Sequence, residues 1–320
     1  DFEVFRWLRP VNSALQNGGF TQQPEEIMFW LPQTAQLIDG FTLGVTGEIS
    51  FVTSDRILAL VAIFFALQSL SLRVFARDYA PLAFLILIAN ENGSYLIPHA
   101  FLKGHLMGAV FGLSAILLYL TSPAWSAASR ARLATTGVLI GIAASVTFHS
   151  VFLPAAIGLH ALGEFIVQKR RNATDERWRG FLTGCVVMFV PAALFAGVWI
   201  ARNVILTGHA TYPYGIYFPE SGSFGTEDSF VGYILAHAAL AKPLGYAHTA
   251  HAIGPFLAAG FVISIVGWAF VRENNERRFL VLSAFISLIA FFGSYLISNI
   301  SPRYYMYWVA ILALCAAVPL

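Results

Sequence analysis

Apolar positions along this chain gather into long runs instead of alternating with polar ones. A bilayer crossing needs roughly 20 mostly apolar residues. Such runs stand at about 55–76, 80–98, 104–121, 134–150, 152–168, 180–200, 255–271, 279–298 and 304–320, some of them short. The pattern predicts an all-α fold: a polytopic transmembrane helix bundle with about nine spans in this chain. Two connections are long, 1–54 and 200–254, and the others are short. In the first, Val4, Leu8, Val11 and Leu15 recur at helical spacing, as do Met28, Leu31, Ala35 and Ile38. That spacing predicts two amphipathic interfacial helices, parted by Gly18-Gly19 and kept short by Pro10 and Pro32.

Charge fixes the orientation, because connections on the cytoplasmic side carry the excess of Lys and Arg. Arg73 and Arg77, Arg130 and Arg132, the group Lys169, Arg170, Arg171, Arg177 and Arg179, and finally Arg272, Arg277 and Arg278 fall on one side of the alternating spans. The alternation requires the run 134–168 to be an out-and-back hairpin turning near Ser150 and Pro154. The opposite side receives 1–54, a short loop near 98–104, the long loop 200–254 and a turn at 299–303. It holds ten of the seventeen acidic residues: Asp1, Glu3, Glu25, Glu26, Asp39, Glu48, Asp55, Glu220, Glu227 and Asp228. Any chemistry is therefore expected outside.

Composition agrees with a lipid solvent. The 320 residues are 58% hydrophobic and 11% charged, with a mean hydropathy of +0.69, more apolar surface than a soluble domain hides. A net charge of +2, with no basic stripe, argues against a nucleic-acid partner. The two cysteines, Cys185 and Cys315, both lie in apolar runs, so neither a disulfide framework nor a thiolate metal site follows. The chain opens on Asp1 and its last apolar run stops at Leu320, so further helices are expected on either side of a single transmembrane domain 1–320. Its parts are a first external loop 1–54, a helical core 55–199, a large external loop 200–254 and further spans 255–320.

Three groups of residues suit chemistry at the outer face. Carboxylates next to lipid, Asp1 and the pair Glu25 and Glu26, suit removal of a proton from an attacking acceptor; the plain alternative is a solvated loop charge. Glu91, between Asn90 and Asn92, is a carboxylate within or at the outer end of a span. Lys103, Arg202, Lys242 and Arg303 stand where spans meet outer loops, positions that suit a lipid phosphate or simple snorkelling to headgroups. His99 and His105 flank Lys103, and His248 and His251 share a helical i, i+3 spacing without a third metal ligand in sight. No Walker A loop, GxSxG elbow or HExxH motif occurs.

The stretch from Trp199 through Arg202-Asn203 and Thr207-Gly208 to Tyr212-Pro213 reads W-x-x-R-N-x-x-x-T-G-x-x-x-Y-P. Physically it makes a membrane exit, with Arg202 and Asn203 at headgroup level, Thr207-Gly208 ending a helix and Tyr212-Pro213 opening extended chain. It resembles a signature at the start of a large external loop in bacterial GT-C type glycosyltransferases, the polyprenyl-phosphate-sugar dependent, dolichyl-phosphate-mannose mannosyltransferase-like enzymes. Asp1-Phe2-Glu3-Val4-Phe5-Arg6-Trp7 resembles that family's first external loop, and Pro302-Arg303-Tyr304-Tyr305 its late external turn. The resemblance implies inverting transfer of a hexosyl or pentosyl group from a polyprenyl-phosphate-linked donor to an acceptor, a glycan, lipid or protein. The setting it implies is the outer face of a bacterial inner membrane, serving the cell envelope. It assigns Asp1 the general base, or a ligand of an assisting divalent cation, Mg or Mn, in members that need one. It assigns Arg303, Arg202 and Lys103 to the donor phosphate, with Arg6, Glu25, Glu26, His105, Asn203, Tyr212 and Tyr304 around the cavity. Arg6 stands where the family usually has histidine, and Lys103-Gly104-His105 where many members have a second aspartate, which speaks against a two-carboxylate metal site. The rival classes are a transporter or flippase of lipid-linked sugars, which favours repeated halves and broken helices, and an inactive GT-C like scaffold.

Overall fold

A computed structural model describes residue 45 and residues 49–89, 105–121, 129–171, 175–207, 244–296 and 306–318. Among the described residues every regular element is helical: α1 (Ile49–Phe75), α2 (Ala80–Ala89), α3 (His105–Thr121), α4 (Arg130–Val146), α5 (Phe152–Arg171), α6 (Asp175–Thr207), α7 (Leu244–Val266), α8 (Asn274–Leu296) and α9 (Met306–Ala317). Each apolar run of the sequence supplies one of these helices. By length and composition the stretches Ile57–Phe75 and Trp178–Ile205 suffice to cross a membrane. Their outward residues are apolar: Leu58, Phe65 and Leu72 on α1, and Val186, Val190, Leu194 and Val198 on α6, are all exposed. Water does not tolerate such continuous stripes, so lipid is the solvent and the chain is a membrane protein.

Direction along the bundle follows from contacts at helix ends. Arg132 of α4 donates to the Thr121 carbonyl at the end of α3 (3.0 Å), whereas Gly108 near the start of α3 lies against Thr147 just past α4. The two helices are antiparallel. Gly137 and Gly141 of α4 meet Met188 and Ala192 of α6 in the same order, so α4 and α6 run parallel. Chain breaks at the extended Thr147, a short 3-10 turn spans Phe148–Val151, and α5 returns until His160 and Glu164 stand beside Tyr119 and Arg278. The stretch 134–168 is thus an out-and-back pair, and the C-terminal ends of α1, α3 and α5 meet the N-terminal ends of α4 and α8.

Small residues let the helices approach where no hydrophobic force distinguishes lipid from protein. A Cβ on Gly137 would stand 1.9 Å from the Met188 carbonyl oxygen, and one on Gly141 would stand 2.7 Å from the Phe195 Cβ. The same device joins α7 to α9, where a Cβ on Gly260 would meet the Leu312 carbonyl oxygen at 2.0 Å. All twelve residues of α9 are buried, as expected of a helix that is apolar all round. Its Trp308 indole N–H donates to Ser287 Oγ (3.1 Å), which also meets Ser264 Oγ (2.8 Å), so three helices share one polar node.

Several helices run past the expected bounds, α1 beginning at Ile49 inside the expected loop 1–54. α6 continues to Thr207, beyond the expected exit near residue 200, because nothing before Thr207-Gly208 breaks it; even Pro191 is accommodated inside. Leu244–Val266 is two helical segments parted by the non-helical Gly254 (φ 70), and the second opens at Pro255, where the sequence reading starts a span. The amphipathic helices expected in 1–54 lie outside the described residues.

Candidate functional site

Of the residues singled out for chemistry, His105, Arg202 and Asn203 are described, and His248 and His251 stand on the described helix α7; Asp1, Arg6, Glu25, Glu26, Glu91, His99, Lys103, Tyr212, Lys242, Arg303 and Tyr304 lie outside the described residues. Arg202 and Asn203 belong to the penultimate turn of α6. Trp199 and Asn203 are buried there and Arg202 is half-buried, while Ile200, Val204 and Ile205 are exposed. One helical turn therefore turns the motif's Trp, Arg and Asn inward and its aliphatic residues toward lipid, which is what the i, i+3, i+4 spacing of 199, 202 and 203 requires. The Arg202 guanidinium lies 5.6 Å from the centroid of the Trp199 ring, a cation–π contact that orients its plane. A planar guanidinium oriented in this way presents its N–H edge as a fork for phosphate oxygens.

His105 opens α3 and is buried. Because α3 is antiparallel to α4 and α4 parallel to α6, the start of α3 and the end of α6 lie at the same end of the bundle. His105, Arg202 and Asn203 share that end, with α4 between their helices. Among the described residues no group of three or more His, Cys, Asp or Glu is placed to hold a metal ion.

At the opposite end stands a polar network that the sequence reading did not single out. Arg278 of α8 grips Glu164 of α5 with two nitrogens, Nε to Oε1 and Nη2 to Oε2, while its Nη1 donates to the Leu120 carbonyl of α3 (3.2 Å). The His160 Nε2 lies 3.1 Å from the Arg278 carbonyl oxygen. A carbonyl can only accept, so Nε2 carries the proton, and in the neutral ring Nδ1 is left to accept from the Tyr119 hydroxyl at 2.8 Å. Glu164 had a legible signal: a carboxylate inside an apolar run, four residues after a histidine. Tyr119 and Arg278 had none, because their partners are more than a hundred residues away or on another helix.

The fold so defined is all-helical and GT-C like. The crystal structure of ArnT from Cupriavidus metallidurans bound to undecaprenyl phosphate is similar to this chain, with a TM-score of 0.62 over 99% of this chain and 55% of that chain, at 14% sequence identity. This chain thus spans little more than half of that protein's length. No protein-family model matches the chain, and no curated protein matches it.

Proposed function

We propose that this chain is the main part of a glycosyltransferase that takes a sugar from a polyprenyl-phosphate-linked donor and passes it, with inversion, to an acceptor at the extracytoplasmic face. The observation that carries the reading is the agreement of fold with a polyprenyl-phosphate-binding neighbour and the inward-facing Trp199, Arg202 and Asn203 at one end of the bundle. In this reading Asp1 takes the proton from the acceptor. Arg202, with Arg303 and Lys103, holds the donor phosphate and meets the negative charge that grows on it as the sugar departs. Donors fixed before reaction stabilise that charge without reorganising, and Trp199 supplies part of that fixing for Arg202. Arg6, Glu25, Glu26, His105, Asn203, Tyr212 and Tyr304 frame the cavity.

The test is transfer of radiolabelled sugar from a panel of polyprenyl-phosphate sugars by the full-length protein in lipid, comparing wild type with Asp1→Asn. Loss of transfer in a folded variant supports the reading. A wild type that turns over no donor but moves labelled lipid across the bilayer replaces it with a transporter.

A further inference from the structure

A cavity of about 320 Å³ opens at the cation-bearing end of the bundle, far along the helices from Arg202, lined by Leu70, Arg73, Val74, Leu117, Leu120, Thr121, Asn275 and Arg278. It is built from the last turns of α1 and α3 and the first turn of α8. Its volume is at the low end of small-molecule sites, enough for a phosphodiester and glycerol, with the acyl chains left in lipid.

The groups around it favour an anion. The carbonyls that end α3 would repel one, but Leu120 O is taken by Arg278 and Thr121 O by Arg132. The Glu164 carboxylate beside the cavity is gripped by Arg278. Among the described residues lining the cavity, none offers a carboxylate to a cation. On the donor side, Arg73 is exposed and its guanidinium makes no hydrogen bond or ion pair among the described residues. Asn275 brings its amide and the opening turn of α8, whose first N–H groups lack intrahelical acceptors. Glu273 and Glu276 flank this turn, but neither lines the cavity. The remaining wall, Leu70, Val74, Leu117 and Leu120, is aliphatic, with Leu70 and Val74 buried and Leu117 and Leu120 partly buried, and the next residue of α1 outward, Leu72, is exposed. A cationic mouth with an aliphatic wall at the membrane surface matches the boundary between a lipid headgroup and its chains.

We propose that this cavity binds the phosphodiester headgroup of an acidic phospholipid in the leaflet at the cation-bearing end, with Arg73 as its principal charge and Arg278 as a fixed wall. Such binding needs only the fold and is independent of the transfer reaction.

The full chain in detergent, titrated with dioleoyl phosphatidylglycerol and read by native mass spectrometry, gives the apparent Kd of the first lipid bound. A surface cation near acidic lipid contributes about 1 kcal/mol, so Arg73→Ala should weaken that Kd by about fivefold. Arg73→Lys should restore most of it, and Arg272→Ala, which removes an exposed charge outside the cavity, should leave it unchanged. Arg73→Gln repeats the test if the alanine variant loses its cooperative unfolding. Equal binding of phosphatidylcholine, or equal losses in the Arg73 and Arg272 variants, overturns the site. Competition by millimolar inorganic phosphate or glycerol 3-phosphate with the same dependence on Arg73 assigns the cavity to a free phosphate ester and overturns the lipid.

Discussion

The two ends of this bundle handle a buried arginine in opposite ways. Arg278 is tied into the protein by three groups from two other helices: the Glu164 carboxylate and, through its own carbonyl, the His160 ring of α5, and the Leu120 carbonyl of α3. Arg202 stacks on Trp199, three residues before it on the same helix. The first arrangement satisfies a charge within the fold, and its geometry is specified by distant parts of the chain. The second includes a contact made within one helical turn, between Arg202 and Trp199. A membrane interior makes either arrangement costly to build by chance; on the function proposed above, Arg278 would be the charge that holds the bundle together and Arg202 the one placed for chemistry.

The contrast breaks most easily at Glu164. Replacing it with alanine leaves the part-buried Arg278 without its carboxylate, and removing one partner of a buried pair costs about 4 kcal/mol. We expect Glu164→Ala to lower the thermal unfolding midpoint in detergent more than any of the substitutions at Arg202, Gly137 or Tyr119 described below. The double variant Glu164→Leu with Arg278→Leu should regain much of the loss, because it removes both charges. If the single variant is as stable as wild type, the network is not structural and the distinction between the ends fails.

Arg202→Ala probes the other end. Loss of one fixed donor to a developing oxyanion costs on the order of a hundredfold in transfer, with the unfolding midpoint little changed. A stability loss comparable to that of Glu164→Ala, with residual transfer in proportion to folded protein, would show Arg202 to be a structural charge as well.

These two ends also mark how much of the molecule is legible in the sequence. The helices are, because an apolar run of span length has few other uses and the arginines between the runs alternate. The turn holding Trp199, Arg202 and Asn203 is legible only in part: the motif stands out, but it reads as the exit from a span ending near residue 200, whereas α6 runs on to Thr207 and buries Trp199 and Asn203. The Tyr119, His160, Glu164 and Arg278 network is not: its bonds join residues 41 and 114 positions apart, and only the packing of α3, α5 and α8 brings them together. The break at Gly254 is legible, since a glycine before a proline parts two helical segments and the second opens at Pro255.

Between the ends, α4 and α6 are held in parallel register by Gly137 and Gly141. Gly137→Leu forces a side chain into the Met188 carbonyl, 1.9 Å from where its Cβ would stand, and the helices must part. Overpacking of this kind costs roughly 2 kcal/mol. The spacing of both ends hangs on this contact, so we expect lower stability together with transfer reduced beyond the loss of folded protein. Leu at Gly163, where a Cβ would meet nothing within 4 Å, is the control that should change neither.

The smallest effect is the sharpest test of the network's internal chemistry. In Tyr119→Phe the ring remains and keeps its edge-on contact with His160, at 5.5 Å between centroids, and the other side of the imidazole still faces Phe285. Only the hydroxyl goes. If Nε2 donates to the Arg278 carbonyl, then Nδ1 is the acceptor that loses its donor, and the variant should cost about 1 kcal/mol in unfolding free energy. Made on the Glu164→Ala background, the same substitution should cost measurably less, by about 0.5 kcal/mol or more, because groups in one hydrogen-bond network are not additive. Strict additivity would mean that Tyr119 and His160 pack beside the Arg278 pair without belonging to it, and the network would shrink to a single salt bridge between α5 and α8.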